Sequence, residues 1–178
     1  MKIVTMQEFN LIVQISKISK KFEVSDGKNI LATGTIRTST INEILTYTPT
    51  TLKPSASLKS QDIYKQFKLR GYCYTDQFCG LEEISYDSSC SSVRWNKNWV
   101  TFLDSILQTT DTKSVNSERI HIPTGIDYLI IDGPLHYCNG ELPPDCTVTT
   151  FSSKESNMIK SRGIELKSIH FAPISVKN

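Results

Sequence analysis

The sequence predicts an α+β chain in which an antiparallel sheet wraps on one amphipathic helix. Three observations carry that expectation. Asn98–Gln108 has sustained helical periodicity, unlike any other segment. Several other stretches have strand length and strand patterning, separated by Asp-Gly, Gly-Pro and Asn-Gly turn signals. A Pro-, Ser- and Thr-rich stretch, Tyr47–Ser60, divides the chain into unequal parts, 1–46 and 61–178.

In the first part, Phe9–Ile18 alternates loosely, with Leu11, Val13 and Ile15 on one face. Phe22-Glu-Val24 leads into Ser25-Asp-Gly-Lys28, the Asp-Gly hairpin signal, and Asn29–Thr38 returns as the next strand. Two or three such strands are too few to stand alone without a covering layer. Residues 47–60 read as a linker. Ser60-Gln-Asp62 then opens a short helical turn, with Ile63, Tyr64 and Phe67 at helical spacing and Gly71 as its stop. Strands are expected at Leu81–Tyr86, Val93–Trp95, Ile126–Ile131, Cys146–Phe151 and Gly163–Phe171, with turns at Asp132-Gly-Pro134 and Asn139-Gly140. One helix with about five strands is an α+β unit.

Composition removes several function classes. A net charge of +2 is too small to argue for nucleic acid, and the Lys17–Lys21 cluster reads as a solvated strand edge. No apolar run approaches a membrane span, and the N-terminal residues lack the apolar core of a signal peptide. The five cysteines (Cys73, Cys79, Cys90, Cys138, Cys146) are odd in number, without CxxC pairs or zinc-type Cys/His spacing. Reduced thiols in a cytoplasmic protein, with no metal site, are the expectation.

The helix carries the chemical signal. Trp99, Phe102, Leu103, Ile106 and Leu107 form an apolar stripe, while Thr101, Ser105, Gln108 and Thr109 make a polar but uncharged back. From Asn98 to Thr110 the one charged residue is Asp104, at the flank of the stripe. A neutral back suits a helix covered on both sides. Burial would raise the carboxyl pKa towards that of a usable general acid. Gln108 lies four residues on, on the same face, where it can orient the carboxyl. The bland alternative is an Asp on an exposed helix flank.

Residue identities go further than periodicity. Trp95-Asn-Lys-Asn-Trp-Val-Thr-Phe-Leu-Asp-Ser-Ile-Leu-Gln108 and Asp62-Ile-Tyr-Lys-Gln-Phe-Lys-Leu-Arg-Gly-Tyr-Cys-Tyr74 resemble the second half of the dehydratase domain in animal-type, insect-like fatty acid synthases. Phe22-Glu-Val-Ser-Asp-Gly resembles the end of the preceding half, and Ile122-Pro-Thr124 with Gly163–Pro173 resembles the closing strands. The resemblance implies a double hotdog fold. Residues 1–46 would be terminal strands of an incomplete first hotdog, 47–60 the linker, and 61–178 the second hotdog.

The implied reaction removes water from a 3-hydroxyacyl thioester on the phosphopantetheine of an acyl carrier protein, giving the trans-2-enoyl thioester. It needs a base for the proton beside the carbonyl and an acid for the departing hydroxyl. By resemblance Asp104 is the acid and Gln108 its support. Tyr74, Phe78 and Gly80 match the family's Tyr-Gly-Pro-x-Phe pocket motif, but Thr75 and Asp76 replace its Gly-Pro pair. That substitution puts the local turn geometry in question.

The family's base is a histidine in a His-x-x-x-Gly-x-x-x-x-Pro motif of the first half. His121-Ile-Pro-Thr-Gly125 copies the start of that motif, yet no Pro stands five residues after Gly125. His136, expected in a turn, and His170, expected on a strand, read as ordinary surface or packed histidines. The chain is therefore expected to hold the acid without its base, as a fragment of a multifunctional protein whose missing hotdog half is a partner in the parent chain. The family works as a large homodimer, and this step uses no cofactor of its own. Three alternatives stay open: a non-catalytic pseudo-dehydratase piece, the equivalent domain of a polyketide-type synthase, and an unrelated hotdog thioester-binding module.

Overall fold

The computed structural model describes residues 10–38, 56–111, 120–137, 143, 145–153 and 155–174. Most of the expected linker, Cys138 and the Asn139-Gly140 turn lie outside the described residues. The chain divides into two compact units, Met1–Glu43 and Ile44–Asn178.

The first unit is a three-stranded antiparallel sheet, β1 (Ile12–Ile15), β2 (Lys21–Ser25) and β3 (Ile30–Thr35), in the order β1-β2-β3. The Asp-Gly signal makes the hairpin between β2 and β3. Asp26 Oδ1 accepts from the backbone N–H of Lys28 (2.8 Å) and Asn29 (2.6 Å), and Gly27 takes the left-handed conformation (φ 86°) that the turn requires. Ile12, Val13, Ile15, Ile30 and Leu31 of this sheet are exposed.

The second unit is a seven-stranded antiparallel sheet with helices packed on it. Its strands are β4 (Ser57–Lys59), β5 (Leu81–Ser85), β6 (Cys90–Trp95), β7 (Ile120–Ile131), β8 (Cys146–Ser153), β9 (Met158–Ser161) and β10 (Ile164–Ile174). They lie in the order β4-β5-β6-β8-β9-β10-β7. Helix α1 (Ser60–Leu69) packs on β4 and β5, and α2 (Trp99–Asp111) on β5, β6 and β8. The core between layers comprises Ile63, Phe67, Leu81, Ile84, Val93, Trp95, Phe102, Ile106, Ile159, Ile164 and Leu166.

Three elements differ from the sequence expectation. The last residues of the supposed linker form β4, which pairs with β5 in register Leu58↔Ile84. Polar Ser57 and Lys59 give no strand pattern. They are held by Glu83, through a Ser57 hydroxyl bond and a 2.7 Å contact with Lys59 Nζ. Strand β9 was not expected either, since Met-Ile-Lys-Ser is too short and mixed to show alternation. The Gly-Pro turn opens α3 (Gly133–Tyr137), a single helical turn in which His136 is fully buried, the packed alternative of the two expected for it. Gly163 (φ 69°) permits that packing. A Cβ there would lie 2.5 Å from Asp132 O and 2.6 Å from His136 N.

Tyr72 ties the segment after α1 to β7. Its hydroxyl donates to His121 O (3.0 Å) and accepts from His121 N–H (2.7 Å), satisfying both backbone groups. Tyr72→Phe leaves both without that partner and is expected to destabilise the unit by about 1–3 kcal/mol, read by urea unfolding. A loss within experimental error would show that water replaces the phenol there.

Candidate functional site

Helix α2 is started by Asn98, whose Oδ1 accepts from Val100 N–H (2.9 Å). Asn96 Oδ1 accepts from Asn98 N–H (3.1 Å) and from the Thr101 hydroxyl (3.0 Å), so the entry into the helix is fixed by two amides. The uncharged back of the helix is buried: Thr101, Ser105, Gln108 and Thr109 all lie inside. Local bonding makes that burial inexpensive. Ser105 Oγ donates to Thr101 O (2.8 Å) and Thr109 Oγ1 to Ile106 O (2.7 Å), which consumes the hydroxyls within the helix itself. The apolar stripe is split. Phe102 and Ile106 are in the core, whereas Leu103 and Leu107 are half-buried beside Asp104, and Val100 is 68% exposed. Val100, Leu103, Asp104 and Leu107 thus form a partly exposed, mainly apolar strip along α2.

Asp104 and Gln108 meet as their spacing suggests. Gln108 Nε2 donates to Asp104 Oδ2 (2.8 Å) and to Phe78 O (2.9 Å). Its Oε1 accepts from the Tyr64 hydroxyl (2.8 Å), and that hydroxyl in turn accepts from Leu81 N–H (2.8 Å). Burial pushes the Asp104 carboxyl above the ordinary carboxylate range, and the Gln108 bond opposes the shift by favouring the charged form. Burial likewise drives the Tyr64 phenol upward, so it is a proton donor at any physiological pH.

The remaining residues of the expected pocket motif enter in different ways. Phe78 contributes its carbonyl, while its side chain is exposed. Gly80 lies under α2, where a Cβ would meet Ser105 Oγ at 2.5 Å, so its bareness serves close packing of β5 against the helix. Tyr74 stacks on Tyr72 (5.6 Å between ring centroids) and stands edge-on to Tyr64 (6.1 Å). The turn after Tyr74 is a single 3-10 turn over Asp76–Phe78, with Asp76 left-handed at φ 50°. Proline, locked near −65°, could not occupy position 76 in this turn, so the Gly-Pro pair of the expected motif does not fit this backbone. The network still closes, because it uses the Phe78 carbonyl and the Leu81 amide, not the side chains of residues 75 and 76.

Tyr64 is the functional candidate that sequence reasoning missed. Its position between Ile63 and Phe67 on α1 reads as an ordinary core aromatic, and the partner of its hydroxyl lies on another helix. His121, His136 and His170 do not join the Asp104 network among the described bonds. His170 pairs with Asp127 on the surface (2.7 Å), and His136 Nδ1 bonds Arg162 O (3.1 Å) within a cluster of rings. Among the described residues no helix is long and apolar enough to cross a membrane.

No family model matches the chain. It is similar to a solved structure of the dehydratase domain from the CurK module of the curacin polyketide synthase. The match has 16% identity and a TM-score of 0.61 over 92% of this chain and 67% of that one. An aspartate-to-asparagine inactive mutant of the CurK dehydratase matches at 14% identity and a TM-score of 0.59, over 92% and 68%. A histidine-to-phenylalanine inactive mutant matches at 15% and 0.56, over 92% and 66%. The chain therefore spans about two thirds of the length of those domains, 66–68%. Antiparallel sheets with few helices, in this arrangement, are the hotdog fold of the dehydratase domains that the chain resembles.

Proposed function

We propose that this chain supplies the acid half of a 3-hydroxyacyl-[acyl carrier protein] dehydratase site within a multifunctional synthase. One observation carries the reading. The Asp104 carboxyl on α2 is half-buried, is raised by that burial above the ordinary carboxylate range, and is clamped by a buried amide. A protonated Asp104 would give its proton to the C3 hydroxyl as the C3–O bond breaks and water leaves. A base would take the C2 proton, its electron pair becoming the new C2–C3 double bond. Among the described residues no histidine is placed to be that base, and the reading assigns it to a histidine of the missing hotdog half. The inactive CurK mutants, one at an aspartate and one at a histidine, accord with such a division of labour.

Acid–base elimination of this kind involves no metal or redox cofactor. The acyl group arrives on carrier-protein phosphopantetheine, and the half-buried Leu103 and Leu107 suit an apolar chain beside the carboxyl. The wording of Trp95–Gln108 favours a fatty acid synthase, homodimeric and cytoplasmic, of the animal type. A polyketide-type synthase is the second reading, favoured by the solved structures that the chain resembles.

The test is to assay the longer protein carrying both halves with 3-hydroxybutyryl and 2-methyl-3-hydroxyacyl carrier-protein substrates. Enoyl product from the unbranched substrate is expected, with little from the branched one. Turnover of both would favour the polyketide reading. Turnover of neither would sink the enzymatic reading and leave a structural piece.

A further inference from the structure

Gln108 is 2% exposed, and both N–H groups and the oxygen of its amide are engaged. Nε2 has two protons, one to Asp104 Oδ2 (2.8 Å) and one to Phe78 O (2.9 Å), while Oε1 accepts from Tyr64 Oη (2.8 Å). The reversed amide would set its oxygen against the Phe78 carbonyl and the Asp104 carboxyl, two acceptors, and forfeit the Tyr64 proton. Tyr64 Oη has a second contact with Phe78 O at 3.4 Å, too long to compete with Gln108. Its lone pair is taken by Leu81 N–H (2.8 Å), which aims the phenol proton at the amide. The chain Leu81 N–H to Tyr64 to Gln108 to Asp104 runs donor to acceptor in one direction, and each bond polarises the next.

We propose that Tyr64 is a positioning residue for the acid: by donating to Gln108 Oε1 it commits Nε2 to Asp104 Oδ2, so that Oδ1 is the oxygen carrying the transferable proton. The assignment follows from hydrogen count. A carboxylic acid oxygen that accepts an N–H is its carbonyl oxygen, and the hydroxyl is the other one. Among the described residues none engages Oδ1, which leaves it free for substrate. This role rests on the dehydratase reading of Asp104, but its test does not need turnover.

The experiment follows the Asp104 carboxyl carbon by 13C NMR titration of the full chain. Tyr64→Phe removes the polarising donor, weakens the bond to Oδ2 and is expected to move the titration to higher pH. Gln108→Met, which deletes the donor to Asp104, moves it further the same way. Tyr64→Phe also orphans Leu81 N–H, which costs stability, so the decisive arm places 3-fluorotyrosine at position 64. That residue keeps the shape and hydroxyl but donates more strongly, and the titration should then shift to lower pH. An unmoved fluorotyrosine titration overturns the proposal, whatever Tyr64→Phe does. Absence of dehydration by the unmodified parent, with the shifts intact, would refute the dehydratase reading alone.

Discussion

Asp104→Asn, in the protein that carries both hotdog halves, is expected to lower dehydration turnover by about 100- to 10,000-fold with little change in KM. The amide can still hydrogen-bond the substrate hydroxyl in the ground state, so binding survives. It has no proton to give as the C3–O bond breaks, so the effect falls on the chemical step. Stopped-flow or steady-state formation of the enoyl thioester reads it directly. A loss under about tenfold would mean that Asp104 is not the acid, since general acid catalysis contributes far more.

The same variant carries a second, opposite expectation that separates function from folding. Burial raises the Asp104 carboxyl above its unfolded value. A carboxyl raised in the folded state contributes stability that is full below its unfolded pKa and is lost as pH rises through its folded pKa. At neutral pH the charged, desolvated Asp104 therefore works against folding. Asp104→Asn removes that penalty and keeps an oxygen for Gln108 Nε2. A higher melting temperature at neutral pH, narrowing as pH falls towards 4, should accompany the lost activity. Such an exchange of stability for activity marks a group kept for chemistry. On the proposed dehydratase reading the protonated form would be the active one, so turnover should decline on the alkaline side of the Asp104 titration.

The parts of this arrangement legible in the sequence are those set by local periodicity. Asn98 as helix start, the Asp-Gly hairpin at Asp26-Gly27 and the meeting of Asp104 with Gln108 all depend on residues within four positions of one another. The uncharged back of α2 was informative for the same reason, and its four residues are buried. What failed was long-range. Strand β4 exists through its pairing with Glu83–Ser85, and α3 through its packing under Gly163, neither of which leaves a local pattern. The apolar stripe divides between buried Phe102 and Ile106 and half-buried Leu103 and Leu107, a split that periodicity does not show. Tyr64 was invisible because its hydroxyl is spent on Gln108, 44 residues away in sequence. The role proposed for Asp104 comes from residue identity, through resemblance, whereas the geometry shows what holds its side chain.

Trp95→Ala is expected to cost about 3–5 kcal/mol of stability, the largest loss at any single core position in the second unit. The indole is 2% exposed at the end of β6 and stands edge-on to Trp99 (5.0 Å), Phe102 (5.1 Å), His136 (4.7 Å) and Tyr137 (6.0 Å). Its removal leaves a cavity beneath the ring cluster that α2 and α3 share. The variant also reports on His136. That ring donates from Nδ1 to Arg162 O, which leaves Nε2 a buried atom with no partner among the described residues. Burial holds its pKa below the ordinary histidine value. A histidine lowered in the folded state binds its proton more readily when unfolded, so stability is present above the unfolded pKa, near 6.5, and is lost as pH falls below it. Urea unfolding of the intact chain between pH 8 and pH 5 should show that decline, and His136→Leu should abolish it. Trp95→Ala should flatten it as well, because water then reaches Nε2 and the charged ring no longer lacks solvation. If Trp95→Ala lowers stability yet leaves the acid-side slope unchanged, the desolvation of His136 comes from Trp99 and Phe102 instead.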